Sequence, residues 1–307
     1  MRGFIQGRLL LAIPTVFAVS IAVFVLLYLI PGDPASIFLG DNLATPERLE
    51  VIRHEMGLDR PIHVQYLDFI GRALQGDLGR SLQNGRPVAL ELAERLPRTA
   101  ELAAAAFIVS IVFGVSLGIL SALRHNTWVD TFAMLVALAG VSMPIFWLGL
   151  LAILVFSLQL GWFPVTGQQG IASLVLPATV LGIVSSATLA RLVRSSMLEV
   201  LSHEYVTTAR AKGLRERVVI GRHALKNALI PVVTVLGLEV GSLLSGAVIT
   251  ETVFARPGIG KLIVDSIQGK DFTVVQGAVL FVASTYVLVN LVVDISYAFL
   301  DPRIRVS

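Results

Sequence analysis

Long apolar runs separated by shorter polar stretches organise this chain, and each run approaches the roughly 20 residues needed to cross a bilayer's hydrocarbon core. Six spans are expected, at 9–30, 99–123, 131–160, 172–192, 229–250 and 276–300. The third is overlong and contains Gly140, Pro144 and Gly149, so a kink or tilt is expected there. Gly114, Gly118, Gly182, Gly237, Gly241 and Gly246 recur within spans, where small residues let helices approach closely. Arg2 and Arg8 precede the first span as they would in a signal peptide. Its apolar run is long, however, and ends at Pro31-Gly32-Asp33-Pro34 without a small-residue cleavage site, so it is expected to stay as an anchor.

Composition agrees with the pattern. Of 307 residues, 55% are apolar and 15% charged, against about 25% charged in a soluble domain. There is no cysteine, which removes disulfides, thiol nucleophiles and thiolate metal sites. The excess base sits in loops beside the spans, which points to membrane lipid and away from nucleic acid. Arg2, Arg8, Arg124, Arg303 and Arg305 predict that both termini are cytoplasmic. Residues 161–171 carry no charge and are expected outside; residues 191–228 carry eight bases against three acids and are expected inside.

Three regions follow: an N-terminal anchor helix at 1–30, an extracytoplasmic segment at 31–98, and a five-helix core at 99–307 that contains a cytoplasmic loop at 193–228. The outer segment is expected to be folded. Thr45 is a suitable N-cap with Pro46 at the first helical position and Glu47 after it. Leu49, Ile52 and Met56 share a face up to Gly57, and Ile62, Tyr66, Phe69 and Ile70 repeat the pattern. Such helices serve equally as a packed lid or as a docking surface.

Candidate chemistry is sparse. Gly258-Ile259-Gly260-Lys261 resembles a phosphate loop, but Ala255 stands where the motif needs Gly and Leu262 where it needs Ser or Thr. His54-Glu55 lacks the second zinc-ligating His, because position 58 is Leu58. No cofactor and no metal is expected, and no catalytic constellation appears. Glu101, Glu239 and Asp294 fall in or beside spans, where ionisable groups face a bundle interior or an aqueous path. Glu239, with Ser242 one turn on, is a pathway candidate; a helix-to-helix hydrogen bond is the alternative, and it is the favoured one for Asp294.

The interruption between the fourth and fifth spans is the most informative stretch. A short helix up to Lys212, Gly213 as its C-cap, a second basic helix, and Pro231 opening the fifth span describe a rigid elbow under the membrane. Its segment Ala209-Arg210-Ala211-Lys212-Gly213-Leu214 resembles the cytoplasmic loop of binding-protein-dependent ABC importer permeases, in the variant of the dipeptide, oligopeptide, nickel and glutathione subfamily. The general family carries Glu-Ala-Ala ahead of the Gly, and Thr207-Thr208-Ala209 departs from it at two positions. Further segments similar to that subfamily are Pro31-Gly32-Asp33-Pro34, Gly57-Leu58-Asp59-Arg60-Pro61, Gly76-Asp77-Leu78-Gly79-Arg80-Ser81, Ser142-Met143-Pro144, Glu251-Thr252-Val253-Phe254 with Pro257-Gly258, and Leu300-Asp301-Pro302-Arg303-Ile304. Arg256 stands where that pattern has Trp, a swap expected to bear on contact with substrate or binding protein.

The resemblance implies an all-α, six-span integral membrane protein of the type I ABC importer permease fold in a bacterial inner membrane. It implies a non-enzymatic subunit that pairs with a homologous second permease as a heterodimer. Two cytoplasmic ATP-binding subunits would drive it, and an extracytoplasmic substrate-binding protein would feed it. Tyr205, Thr208, Ala209, Arg210, Lys212, Gly213 and Leu214 would then form the ATPase-coupling loop. Peptide is the expected cargo, with a nickel chelate or glutathione as alternatives. A secondary transporter or channel without an ATPase is the rival from another class, with Glu239 and Asp294 carrying ion coupling.

Overall fold

The computed structural model describes residues 2–29, 35–36, 45–55, 57–165 and 170–300. The segments Pro31-Gly32-Asp33-Pro34 and Asp301 to Ile304, with Met56, Arg303 and Arg305, lie outside the described residues. Among those described, the chain is almost entirely helical: α1 Arg2–Leu29, α2 Pro46–Glu55, α3 Ile62–Leu74, α4 Val88–Leu123, α5 Trp128–Ser142, α6 Ile145–Gln159, α7 Ala172–Leu201, α8 Glu204–Ala211, α9 Glu216–Val253, α10 Ile259–Gln268 and α11 Phe272–Leu300. Among the described residues, five helices (within α1, and α4, α7, α9 and α11) are long and apolar enough to cross a membrane. The number rises to six if α5 and α6 together make one span.

That pair is where the structure departs furthest from the hydropathy pattern. The kink expected in 131–160 is a break, with α5 and α6 at 106°. Pro144 causes it by clashing with helical backbone at the residue before it. Met143 is accordingly extended, at φ −88° and ψ 131°. The Pro144 carbonyl then accepts from Trp147 and Leu148 N–H, starting the next helix. Other helices outrun their apolar cores: α4 begins at Val88, α7 continues to Leu201, and α9 begins at Glu216. Pro231 does not open a helix but lies inside α9, which includes a π-helical stretch at Val219–Ala224.

Contacts divide the chain into two units, Met1–Pro97 with Pro257–Ser307, and Arg98–Arg256. In the first, α1 runs along α11, and Arg8 reaches Asp294 at 3.1 Å. Tyr66, Phe69 and Ile70 of α3 pack with Val23 and Phe24 of α1 and Leu280 of α11, and the Tyr66 hydroxyl hydrogen-bonds Ser20 at 2.7 Å. Ile62, expected on that same face, is exposed. It begins the helix one turn before the contact starts. Asp271 organises the loop ahead of α4: its carboxylate accepts from the Ser81 hydroxyl at 2.5 Å and from Leu82 N–H at 3.1 Å.

In the second unit, Ala122, Leu189, Val193, Met197, Ala224, Ala228 and Val232 join α4, α7 and α9 in one buried cluster. Leu102, Ala106, Ala178, Leu181, Leu243 and Ala247 form another between the same three helices. Gly118 makes the α4–α7 approach possible, because a Cβ there would stand 2.6 Å from Val193 Cβ and 2.7 Å from the Ala190 carbonyl.

Candidate functional site

The elbow between α7 and α9 is built from a short amphipathic helix. α8 begins after His203, whose carbonyl accepts from Val206 N–H at 3.0 Å. Val206 and Ala209 turn inward onto Val219, Val200 and Leu201, so one face of α8 is bound to the end of α7 and the start of α9. Tyr205, Thr208, Arg210, Lys212, Gly213 and Leu214 are exposed, whereas Ala209 is buried and acts as part of the foot. Gly213 adopts φ +75°, the left-handed conformation that commonly ends a helix and that glycine adopts at least cost.

Two polar contacts hold the shape of the elbow. The Arg210 guanidinium donates to Glu216 Oε1 at 2.8 Å and to Oε2 at 3.3 Å, bridging the turn around Gly213. That hydrogen bond pushes the Arg210 pKa up. On the other side of α8, Asn227 Nδ2 donates to the Tyr205 hydroxyl at 2.8 Å. The elbow thus exposes a cationic and aromatic surface whose backbone is held by apolar packing beneath it. Such a piece can pass on a push without absorbing it.

The pathway candidates are not brought together with the elbow. Glu239 is buried in α9, where Ser110 of α4 donates to its Oε1. Ser242 is exposed on α9, its hydroxyl donating to the Glu239 carbonyl at 2.8 Å. Asp294 is engaged by Arg8. Lys261 of the phosphate-loop-like segment is engaged on its own helix by Asp265, at 2.8 Å.

Arg256 occupies a different setting from an open mouth. It is 3% exposed, and its Nη2 meets Glu101 Oε2 at 2.5 Å. Arg98 lies 3.8 Å from the same carboxylate oxygen. Beside them, Thr99 donates to the buried Glu251 at 2.6 Å, and the Glu251 carbonyl accepts Arg256 N–H at 2.8 Å. Arg256 therefore links the end of α9 to the second unit's part of α4.

Sequence reasoning missed a further charged cluster made by Asp130, Arg194, His125 and Ser121. Its visible signals were an acidic residue in the first turn of an apolar helix and two arginines, Arg191 and Arg194, within α7. Neither identifies a partner before folding.

Comparison with known proteins bears on the whole chain. Residues 114–306 match the family described as binding-protein-dependent transport system inner membrane component, and residues 1–103 match its N-terminal counterpart. A di/tripeptide transport system permease protein of Pseudomonas aeruginosa is 46% identical, with 99% of each chain covered. A glutathione transport system permease protein of Escherichia coli is 43% identical, again with 99% of each covered. A crystal structure of an amino acid ABC transporter with histidines aligns with a TM-score of 0.53 at 15% identity, covering 77% of this chain and 98% of that one, a likeness of fold.

Proposed function

This chain belongs to the binding-protein-dependent transport system inner membrane components, as a permease subunit of the dipeptide and glutathione subfamily of ABC importers, and we propose that its cargo is a dipeptide or oligopeptide moved by alternating access. As a multi-pass inner-membrane subunit of that family it works with ATPase and substrate-binding partners. We place it in a heterodimer with a homologous permease, over two cytoplasmic ATPases and beneath one extracytoplasmic binding protein. In this arrangement the membrane is crossed six times, with α5 and α6 as one broken span. Both termini are cytoplasmic, residues 31–98 lie outside, residues 99–307 form the permease core, and 193–228 meets the ATPases.

The observation that carries the coupling role is the elbow itself: exposed Tyr205, Thr208 and Arg210 on a helix whose Val206 and Ala209 are buried, with Lys212 and Leu214 exposed in the turn that follows it. Closing of the ATPases would displace α8, and the packed foot would hand that displacement to α7 and α9. Cargo and binding protein promote the cycle only as far as they favour one permease conformation over the other. Ser242, exposed on α9, is the proposed pathway position, with Glu239 behind it. A bulky Ser242→Trp is expected to block uptake while leaving assembly intact, and Glu239→Gln to weaken import of cationic peptides selectively.

Cargo is tested on the binding protein. Calorimetry with di-, tri- and oligopeptides, glutathione and nickel chelates should give its strongest binding with peptides. A preference for glutathione, supported by the Escherichia coli relative, or for a nickel chelate would replace the peptide reading.

A further inference from the structure

The cluster that sequence reasoning missed lies where α4, α5 and α7 meet. Asp130 is in the first turn of α5, with its side chain 6% exposed. Arg194 of α7 grips it twice, Nε to Oδ1 and Nη2 to Oδ2, each at 2.7 Å. Ser121 of α4 also donates to Oδ1, and Asn126 N–H donates to Oδ2 at 3.1 Å. His125 Nδ1 stands 3.2 Å from both Asp130 Oδ2 and Arg194 Nη2. A two-pronged guanidinium–carboxylate pair defines angle as well as distance. α7 therefore cannot slide or rotate against the α4–α5 turn without breaking it, and a buried carboxylate deprived of its cation is strongly disfavoured.

Position decides what the pair is for. Arg194 precedes the end of α7 at Leu201 by about two turns, roughly 10 Å of helix. Val200 and Leu201, in the last turn of α7, form the packing beneath Val206 and Ala209 of α8. Val193, next to Arg194, is the side chain that Gly118 of α4 admits. One helix end thus carries the seat of the elbow and, just behind it, the grip on α4 and α5.

We propose that the Asp130–Arg194 pair is the joint through which displacement of α8 reaches the α4–α5 pair, so that both are positioning residues for coupling. The inference rests on the docking role of α8. Without the pair, α7 would still move with α8, but α4 and α5 would not follow in register.

The experiment uses the complete transporter in proteoliposomes, with both permeases, the ATPases and loaded binding protein. Asp130→Asn and Arg194→Gln should each keep the ATPases bound and basal hydrolysis intact. Stimulation by loaded binding protein, and uptake, should fall on the order of tenfold. Arg194→Lys, which keeps the charge without the fork, should fall between. Because this chain has no cysteine, Asp130→Cys with Arg194→Cys can be bridged by a short bis-methanethiosulfonate, each thiolate displacing one methanesulfinate, in an otherwise cysteine-free complex. The unbridged pair should be uncoupled and the bridged pair restored, an outcome that mere loss of packing would not give. Unchanged stimulation in the single variants, or a bridged complex that stays uncoupled, overturns the joint. If a benzophenone-maleimide carried on a lone Leu214→Cys forms no photo-cross-link to an ATPase subunit, the docking role and the joint fall together; if it cross-links normally while coupling ignores residues 130 and 194, the joint falls alone.

Discussion

Gly213 is required by backbone conformation and not by space, since a Cβ there would meet nothing within 4 Å while φ stands at +75°. A β-branched residue strains this turn by about 1–2 kcal/mol, and the Arg210–Glu216 bridge across it loses its geometry. Gly213→Val is therefore expected to lower peptide uptake several-fold more than ATP hydrolysis in proteoliposomes, whereas Gly213→Asn, which tolerates the left-handed region, should stay close to the parent. Uptake falling only in proportion to hydrolysis would contradict this. Arg256 poses the opposite problem: its buried Nε finds no hydrogen-bond partner among the described residues, and Glu101 supplies its countercharge. Removing that charge with Glu101→Gln should destabilise the protein on the order of 1–3 kcal/mol in thermal unfolding. Arg256→Trp removes the buried charge with the contact and should be milder. The reverse order would show that the pair is not what holds this corner.

Among elements, the α4–α7 contact depends on backbone approach more than on large side chains. Gly118→Leu would force a branched side chain into space already taken by Val193 and the Ala190 carbonyl. Overpacking of this kind costs about 1–3 kcal/mol, so a lower melting temperature in detergent is expected, with Gly118→Ala intermediate. The loop before α4 is held differently, by one carboxylate. Asp271 accepts from Ser81, Leu82 and Gln83, and Gln83 in turn donates to the Gly269 carbonyl at 2.6 Å. Asp271→Ala leaves the Ser81 hydroxyl and Leu82 N–H without this acceptor and should speed amide exchange through residues 81–84 while leaving α7 and α9 protected. That contrast follows from the loop and those helices lying in different units.

For the whole molecule, orientation is the quantity that charge placement predicts. The absence of native cysteine makes it directly measurable. A thiol placed by Gly213→Cys should react with an impermeant maleimide only from the cytoplasmic side, and one placed by Trp162→Cys only from the other. Identical sidedness of these two would mean that α7 does not cross, whereas a thiol placed by Thr127→Cys, at the other end of the α5–α6 pair, reacting from the same side as that of Trp162→Cys would mean that α5 and α6 turn back within the membrane. Hydropathy could not separate those cases, because both give one apolar stretch with a proline in it; the 106° break exists only once Met143 has been forced extended.

Much of the chain was nonetheless legible before folding. Apolar length located the membrane helices, since lipid leaves the backbone no other way to satisfy its hydrogen bonds than within each segment. Local backbone rules located the end of α8 at Gly213, because the left-handed turn after a helix is a property of a few adjacent residues. Helix limits were missed where a helix continues into polar sequence, as α4 does from Val88 and α9 from Glu216. The tertiary structure alone decided partnerships: Glu239 with Ser110, Arg256 with Glu101, and Asp130 with Arg194, separated in sequence by scores of residues. A charge in an apolar helix announces that it needs a partner, but which one it finds depends on how neighbouring helices are set, and that is determined by packing of surfaces that no local pattern encodes.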